Sequence, residues 1–149
     1  MYQRRMESLQ RQMKNNVFFL ILVGAGCLIG NLLGPYNDFC DYQDKLINFG
    51  ELIQRIIGDV TEMLIGITLL FLARNIKRNN FFVVSTANLV RILGSVVILG
   101  AVAQITARAI WDASSTSHTM ECALGIILLV LSRILEIGIK MREENDLTI

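Results

Sequence analysis

Residues 17–34, with the sequence VFFLILVGAGCLIGNLLG, form eighteen consecutive positions without a charged side chain. As an α-helix rising about 1.5 Å per residue they cover roughly 27 Å, close to the ~30 Å hydrocarbon core of a bilayer. A helix of a soluble four-helix bundle would carry a polar stripe along one side. This stretch has none, so it predicts a transmembrane helix and disfavours the soluble alternative.

Three further apolar stretches follow, at about 52–73, 81–106 and 119–139, and each is long enough to cross a bilayer without containing a proline. The chain has 149 residues, the size of one domain, with 53% hydrophobic and 18% charged residues. We therefore predict a single all-α domain, an antiparallel four-helix transmembrane bundle with a short tail at residues 140–149.

The basic residues between these stretches predict the orientation of the chain. Nine Lys and Arg residues fall in the N-terminal arm, the connection at residues 74–80 and the C-terminal tail, against two, Lys45 and Arg108, in the other connections. Cytoplasmic segments are enriched in Lys and Arg. Both termini are therefore expected in the cytoplasm, with Tyr36, Tyr42 and Trp111 at the outer interface, where such rings are favoured.

Charged residues inside the second stretch form the first candidate site. Arg55, Asp59 and Glu62 follow the spacing i, i+4, i+7 and share one helical stripe. One interpretation is a protonatable or cation-binding site in which Asp59 and Glu62 are the acids. The other, which we prefer because basic partners are present, is an internal ion-pair network that joins Arg55 to Asp59. The other expected members of this polar layer are Asn31, Gln104, Arg108 and Glu121.

A second polar cluster is expected near the cytoplasmic face. Arg91 lies deep enough in the third stretch to need an acidic partner, and Glu136 in the fourth is the natural candidate, with Arg133 beside it. The simplest role is to lock two helices together, with long basic side chains reaching toward the interface.

Gly26, Gly30 and Gly34 recur at every fourth position of the first stretch. Small residues at this spacing let two membrane helices approach closely. We expect a packing face, and the sequence leaves open whether it lies within the chain or between subunits of a homo-oligomer.

Several functional classes have no support in the sequence. A net charge of +1 gives no sign of direct nucleic-acid binding. Cys27, Cys40 and Cys122 have no metal-ligand spacing, and we prefer free thiols to a Cys40–Cys122 disulfide. His118 lies alone in a polar connection, without a convincing nucleophile. We therefore predict no enzyme activity, no cofactor and no metal.

Two stretches resemble a known family. They are RNIKRNNFFVVSTANLVRILG at residues 74–94 and MREENDLTI at residues 141–149. Together with four helices in a short chain, they resemble the bacterial membrane family called domain of unknown function 2975. Its members end in a Glu-rich turn, Asp-Leu-Thr and a final Ile or Val, and carry a Leu-Arg step before a Gly, matched here by Arg91 and Gly94. The family usually has Pro where this chain has Asn80, which predicts a looser turn.

The resemblance implies a function but no activity. Genes of this family often stand beside a gene for a small helix-turn-helix regulator. This implies a protein of the bacterial inner membrane that acts as a sensor or anchor for that cytosolic transcription factor. The expected docking residues are Glu143, Glu144, Asp146, Leu147 and Ile149.

Other interpretations remain open. Leu147 and Ile149 could instead fold against the protein's own cytoplasmic face. The alternative function is a small oligomeric transporter coupled to protons or cations through its intramembrane carboxylates, and a structural subunit of a larger membrane complex is a third.

Overall fold

The computed structural model describes residues 2–78, 83–111 and 119–146. Within these ranges the chain is helical and contains no strand. The helices are α1 (Tyr2–Gly30), α2 (Gly34–Gln43), α3 (Phe49–Lys77), α4 (Val84–Trp111) and α5 (Thr119–Asp146).

Four stretches of the described chain are long and apolar enough to cross a membrane. They are Asn15–Gln43, which joins the second part of α1 to α2, and then Phe49–Lys77, Val84–Trp111 and Met120–Asn145. The prediction of an all-α protein with four helices able to span a membrane is confirmed. α5 also continues through residues 140–146 of the predicted tail, while the predicted start of the third span at Phe81 and the turn at Asn80 lie outside the described residues.

The long helices pack in chain order as an antiparallel row. α1 packs on α3, α3 on α4 and α4 on α5, and no other pair of these four makes a comparable interface within the described ranges. At one end of the α3–α4 pair Asn75 Nδ2 donates to Ser85 Oγ at 3.1 Å, and at the other end Gly50 lies against Trp111. Because α1 and α5 do not pack extensively on each other, they lie at the two ends of this row.

Glycine residues at the helix crossings let the backbones approach closely. A Cβ atom added to Gly24 of α1 would lie 2.9 Å from the carbonyl oxygen of Gly66 in α3, and one added to Gly66 would lie 2.8 Å from that of Gly24. Gly94 of α4 and Gly125 of α5 form the same reciprocal contact, at 2.9 and 3.0 Å. Neither pair has room for a larger side chain.

The three predicted packing glycines differ in their contacts. Gly34, the first residue of α2, lies so close to Asp59 of α3 that a Cβ atom there would overlap the carboxyl group. A Cβ atom added to Gly26 or Gly30 would meet no other part of the described chain within 4 Å, because α1 presents Gly24 to α3. A face between subunits stays a prediction.

The first connection, expected to be a loop, contains the short helix α2. The backbone leaves the helical path after Gly30 and turns through residues 31–33. Pro35 lies in the first turn of α2, where its missing N–H is not needed and its fixed φ favours a helix. Lys45, with φ 59°, follows the end of α2, and the Leu46 N–H bonds to the Asp41 carbonyl at 2.9 Å, as in a Schellman ending.

The start of α3 is fixed by a capping box and by aromatic contacts. The Glu51 N–H donates to Asn48 Oδ1 at 2.8 Å, and the Asn48 N–H donates to Glu51 Oε2 at 3.2 Å. Phe49 makes edge contacts with Tyr42 and Trp111, each with ring centroids 6.2 Å apart. These rings join the ends of α2, α3 and α4, at the end of the row where aromatic residues were predicted.

Replacing Gly66 with Leu tests the glycine crossing. The larger side chain cannot fit against the Gly24 carbonyl, so we expect Gly66→Leu to destabilise the protein by about 1–3 kcal/mol, the usual cost of overpacking. The measurement is the unfolding midpoint of the purified protein in a denaturing-detergent titration.

Gly26→Leu is the matched control, since it adds the same side chain to the uncovered side of α1 and should leave the unfolding midpoint unchanged. Equal destabilisation by both substitutions would contradict the crossing. A folded Gly26→Leu variant that loses an oligomeric form would support the packing face between subunits.

Candidate functional site

The described helices border an open polar cavity beside α3. Its volume is about 380 Å³, and α2, α3, α4 and α5 all contribute side chains to it. The lining residues are Asp38, Glu51, Gln54, Arg55, Gly58, Asp59, Glu62, Gln104 and Glu121. Five carboxyl groups therefore face one guanidinium group, which is a net charge of −4 when all of them are ionised.

The predicted intramembrane network coincides largely with this cavity. Its members Arg55, Asp59, Glu62, Gln104 and Glu121 all line it. The exception is Arg108, which is exposed in the last turn of α4 and is not among the lining residues.

Arg55 is paired with α2 and not with Asp59. Its Nη1 lies 3.3 Å from Asp38 Oδ1 and 3.2 Å from Asp41 Oδ2. Asp38 is only 8% exposed, while the Arg55 side chain is 48% exposed, so this contact is partly buried. The predicted Arg55–Asp59 pair is therefore wrong, because α2 brings two closer carboxylates that a loop would not have placed there.

Asp59 lies at the junction of α3 and α2. Its carboxyl group is so close to Gly34, the first residue of α2, that a Cβ atom there would overlap it. Asp59 Oδ2 is buried and makes no hydrogen bond to the described part of the protein. A buried carboxylate oxygen without a partner is destabilising unless a proton, a cation or water satisfies it.

Glu62 is connected to the end of α1. Asn31 Nδ2 donates to Glu62 Oε2 at 2.7 Å and to the Cys27 carbonyl at 2.9 Å. One amide group thus satisfies a backbone acceptor where α1 ends and positions a carboxylate at the edge of the cavity. The expected place of Asn31 in the polar layer is observed.

The second predicted cluster has the expected partners. Arg91 Nη2 lies 2.8 Å from Glu136 Oε2, and Arg133 Nη1 lies 2.9 Å from the same oxygen. Two guanidinium groups therefore share one carboxylate oxygen, which joins α4 to α5 and leaves an excess of one positive charge.

Other sequence predictions fall partly outside the described chain. Glu143 and Glu144 are exposed on the last turns of α5, and Asp146 ends that helix, whereas Leu147 and Ile149 lie outside the described residues, as does His118. Cys27, Cys40 and Cys122 are free thiols, so the Cys40–Cys122 disulfide is not formed.

Sequence reasoning missed four residues at or beside the cavity. Asp38 and Asp41 are one helical turn apart and contact Arg55, while Glu51 and Gln54 continue the polar stripe of α3 toward its start. Pro35 together with the spacing of the two aspartates was the available signal for α2.

These features define a class of protein: a small all-α protein with four helices able to span a membrane and an acidic cavity at one end. The model of a family described as protein of unknown function, DUF2975, matches residues 52–149. The chain belongs to this family. No curated protein and no solved structure matches it significantly.

The attachment of α2 can be tested through Cys40. Replacing Asp38 and Asp41 together with Asn removes both ion pairs to Arg55, so α2 should leave α3 more often. We expect the maleimide labelling rate of Cys40, followed by mass spectrometry of its peptide, to rise about fivefold, which corresponds to ~1 kcal/mol.

Asp44→Asn is the matched control, because Asp44 lies at the end of the same helix and its side chain is exposed. It should leave the labelling rate of Cys40 unchanged. A double variant that labels no faster than the wild-type protein would show that the ion pairs do not hold α2.

Proposed function

We propose that this protein is a sensor of the bacterial inner membrane, with a cation as its ligand and a cytosolic regulator as its partner. The observation that carries the proposal is the acidic cavity, which is lined by five carboxyl groups and one guanidinium group. In this proposal both termini are cytoplasmic and the cavity opens toward the outer leaflet, as the uneven distribution of Lys and Arg predicts.

The charge of the cavity selects the ligand. A cleft lined by charges of one sign with low-dielectric walls focuses the field and concentrates ions of the opposite sign. Arg55 compensates part of this negative charge, but its guanidinium group pairs with Asp38 and Asp41 of α2. Asp59 and Glu62 are therefore left to attract a cation. Asp59 Oδ2 is a buried acceptor without a hydrogen bond, so a cation in the cavity would satisfy it.

The dimensions of the cavity suit a small ligand. Pockets for small molecules have volumes of about 300–1,000 Å³, and this cavity has about 380 Å³. Such a space is large enough for a hydrated cation or a short organic amine.

Two helices connect the cavity to the opposite end of the protein. α3 carries Asp59 in the cavity and ends at Lys77, and α5 begins beside the cavity with Glu121 and extends to the exposed Glu143. A ligand that shifts α3 against α5 would therefore move the surface offered to a cytosolic protein. The acidic end of α5 is suited to a basic surface on a helix-turn-helix regulator.

Proton- or cation-coupled transport by an oligomer is the second candidate. The observation in its favour is the depth of Glu62, which lies roughly 18 Å along α3 from Arg74 at 1.5 Å per residue, near the middle of a bilayer. Ionisable groups at such depth often mark the paths of ions and protons. Transport requires that the bound cation leave toward the other side, whereas sensing does not.

Cation binding is tested by titrating the protein in lipid nanodiscs with K⁺, Mg²⁺, Ca²⁺ and spermidine in a calorimeter. We expect at least one of these cations to bind, and Asp59→Asn or Glu62→Gln to weaken that binding about tenfold, because each removes one charge from the cavity. Glu143→Gln, which removes a carboxylate outside the cavity, should bind as the wild type does.

Binding of none of the four cations, or equal weakening by Glu143→Gln, would refute the cation site. The same variants separate the two functions in liposomes. If the bound cation crosses the membrane and Glu62→Gln abolishes this flux, the protein is a transporter and not a sensor. Binding of the cation without flux would support the sensor.

Deletion of residues 146–149 tests the cytosolic output. If the end of α5 holds the proposed helix-turn-helix regulator, that regulator should co-purify with the tagged wild-type membrane protein, and the deletion should abolish its recovery. The detergent-unfolding midpoint of the deletion variant serves as the control for folding. Unchanged recovery of the regulator would refute this docking site.

A further inference from the structure

Arg133 occupies an unusual place for an arginine side chain. It lies on α5 within the stretch Met120–Asn145, which is apolar enough to span a membrane, and its side chain is 70% exposed. Its neighbours Val130, Ile134 and Ile137 are all more than half exposed and form part of the apolar outer surface. In a bilayer this guanidinium group therefore borders the lipid.

The protein itself does not fully neutralise this position. Glu136 Oε2 accepts hydrogen bonds from both Arg133 and Arg91, so one carboxylate serves two guanidinium groups. A charged side chain at the lipid boundary is costly unless it reaches an anion or water. The remaining positive charge thus calls for an anionic group outside the protein.

The geometry directs that charge toward one membrane surface. Arg133 donates to Glu136, one turn closer to the C-terminal end of α5, so its guanidinium reaches toward that end. Lys140 is exposed seven residues further on, roughly 10 Å along the helix and on the same side. Side chains of a helix tilt toward its N-terminus, so Lys140 leans back toward Arg133.

We propose that Arg133 and Lys140 bind the headgroup phosphate of an anionic phospholipid, in the leaflet that contacts the beginning of α4 and the end of α5. Glu136, which is itself bound by Arg91, holds the Arg133 guanidinium in place, and Ile134 and Ile137 contact the acyl chains. A guanidinium group suits this role because its planar set of donors matches a phosphate. The site is independent of the acidic cavity and of the function proposed for it.

The test compares the thermal unfolding midpoint of the protein in nanodiscs of pure phosphatidylcholine with that in nanodiscs containing increasing amounts of phosphatidylglycerol. The wild-type midpoint should rise with the anionic lipid. In Arg133→Gln the concentration of phosphatidylglycerol needed for half of the effect should increase about fivefold, because the specific contact between one guanidinium group and the phosphate is lost.

Arg78→Gln is the matched control. Arg78 is an exposed arginine at the same end of the protein, just after α3, and its loss changes the overall charge equally. It should keep the wild-type response to phosphatidylglycerol. Because each variant is compared with itself in the two lipids, a general loss of stability does not affect the result. Lys140→Gln is a second test variant, and we expect the same weakening as for Arg133→Gln.

Two results would overturn the proposal. One is a response to phosphatidylglycerol that Arg133→Gln and Lys140→Gln retain in full, or lose no more than Arg78→Gln does. The other is equal stabilisation of the detergent-solubilised protein by inorganic phosphate, which would assign the site to a free anion and not to a lipid.

Discussion

Close contact between helix backbones is the constraint on which this structure depends. Apolar burial gives membrane helices little reason to associate, because lipid tails are as apolar as their side chains. The free energy of helix association must therefore come from van der Waals contact. The reciprocal pairs Gly24–Gly66 and Gly94–Gly125 provide it, because each glycine lets its helix backbone contact a carbonyl group of the facing helix. Gly100 receives the side chain of Thr61 in a similar way between α3 and α4. Each long helix is thereby fixed to the next one in the chain.

The same pattern of contacts explains where polar groups collect. Since each helix is fixed mainly to its neighbours in sequence, the row leaves a polar side of α3 open, and α2 folds over part of it. The carboxyl group of Asp59 is then covered by the start of α2, while Glu62 is exposed at the edge of the cavity and accepts a hydrogen bond from Asn31. At the opposite end, the Arg91–Glu136–Arg133 cluster strengthens the α4–α5 contact that Gly94 and Gly125 make possible. Packing and charge placement are therefore not independent features of this protein.

The sequence was sufficient for features that depend on length and polarity. Long apolar stretches, the first of them without any charge, predicted the spanning helices. The depth of Arg91 predicted its partner Glu136, because an isolated charge in a bilayer needs an opposite charge nearby. Features set by three-dimensional contact could not be predicted. Gly24 and Gly26 are equally small, and only the direction of the α1–α3 crossing decides which one touches Gly66. The partners of Arg55 could not be predicted because they lie on α2, whose acidic sequence is typical of a loop. Only the folded chain brings Asp38 and Asp41 to the Arg55 guanidinium.

The two contacts of Arg55 differ in their access to solvent, and this has a consequence for α2. The Asp38 side chain is 12% exposed and the Asp41 side chain 41%. Dissolved ions weaken exposed ion pairs much more than enclosed ones, over a screening length of about 8–10 Å near physiological ionic strength. Raising the salt concentration in the surrounding medium would thus loosen the half of α2 that carries Asp41 before the half next to Pro35. The short helix would pivot outward about its proline end as the ionic strength rises, whereas uncharged solutes would leave it in place.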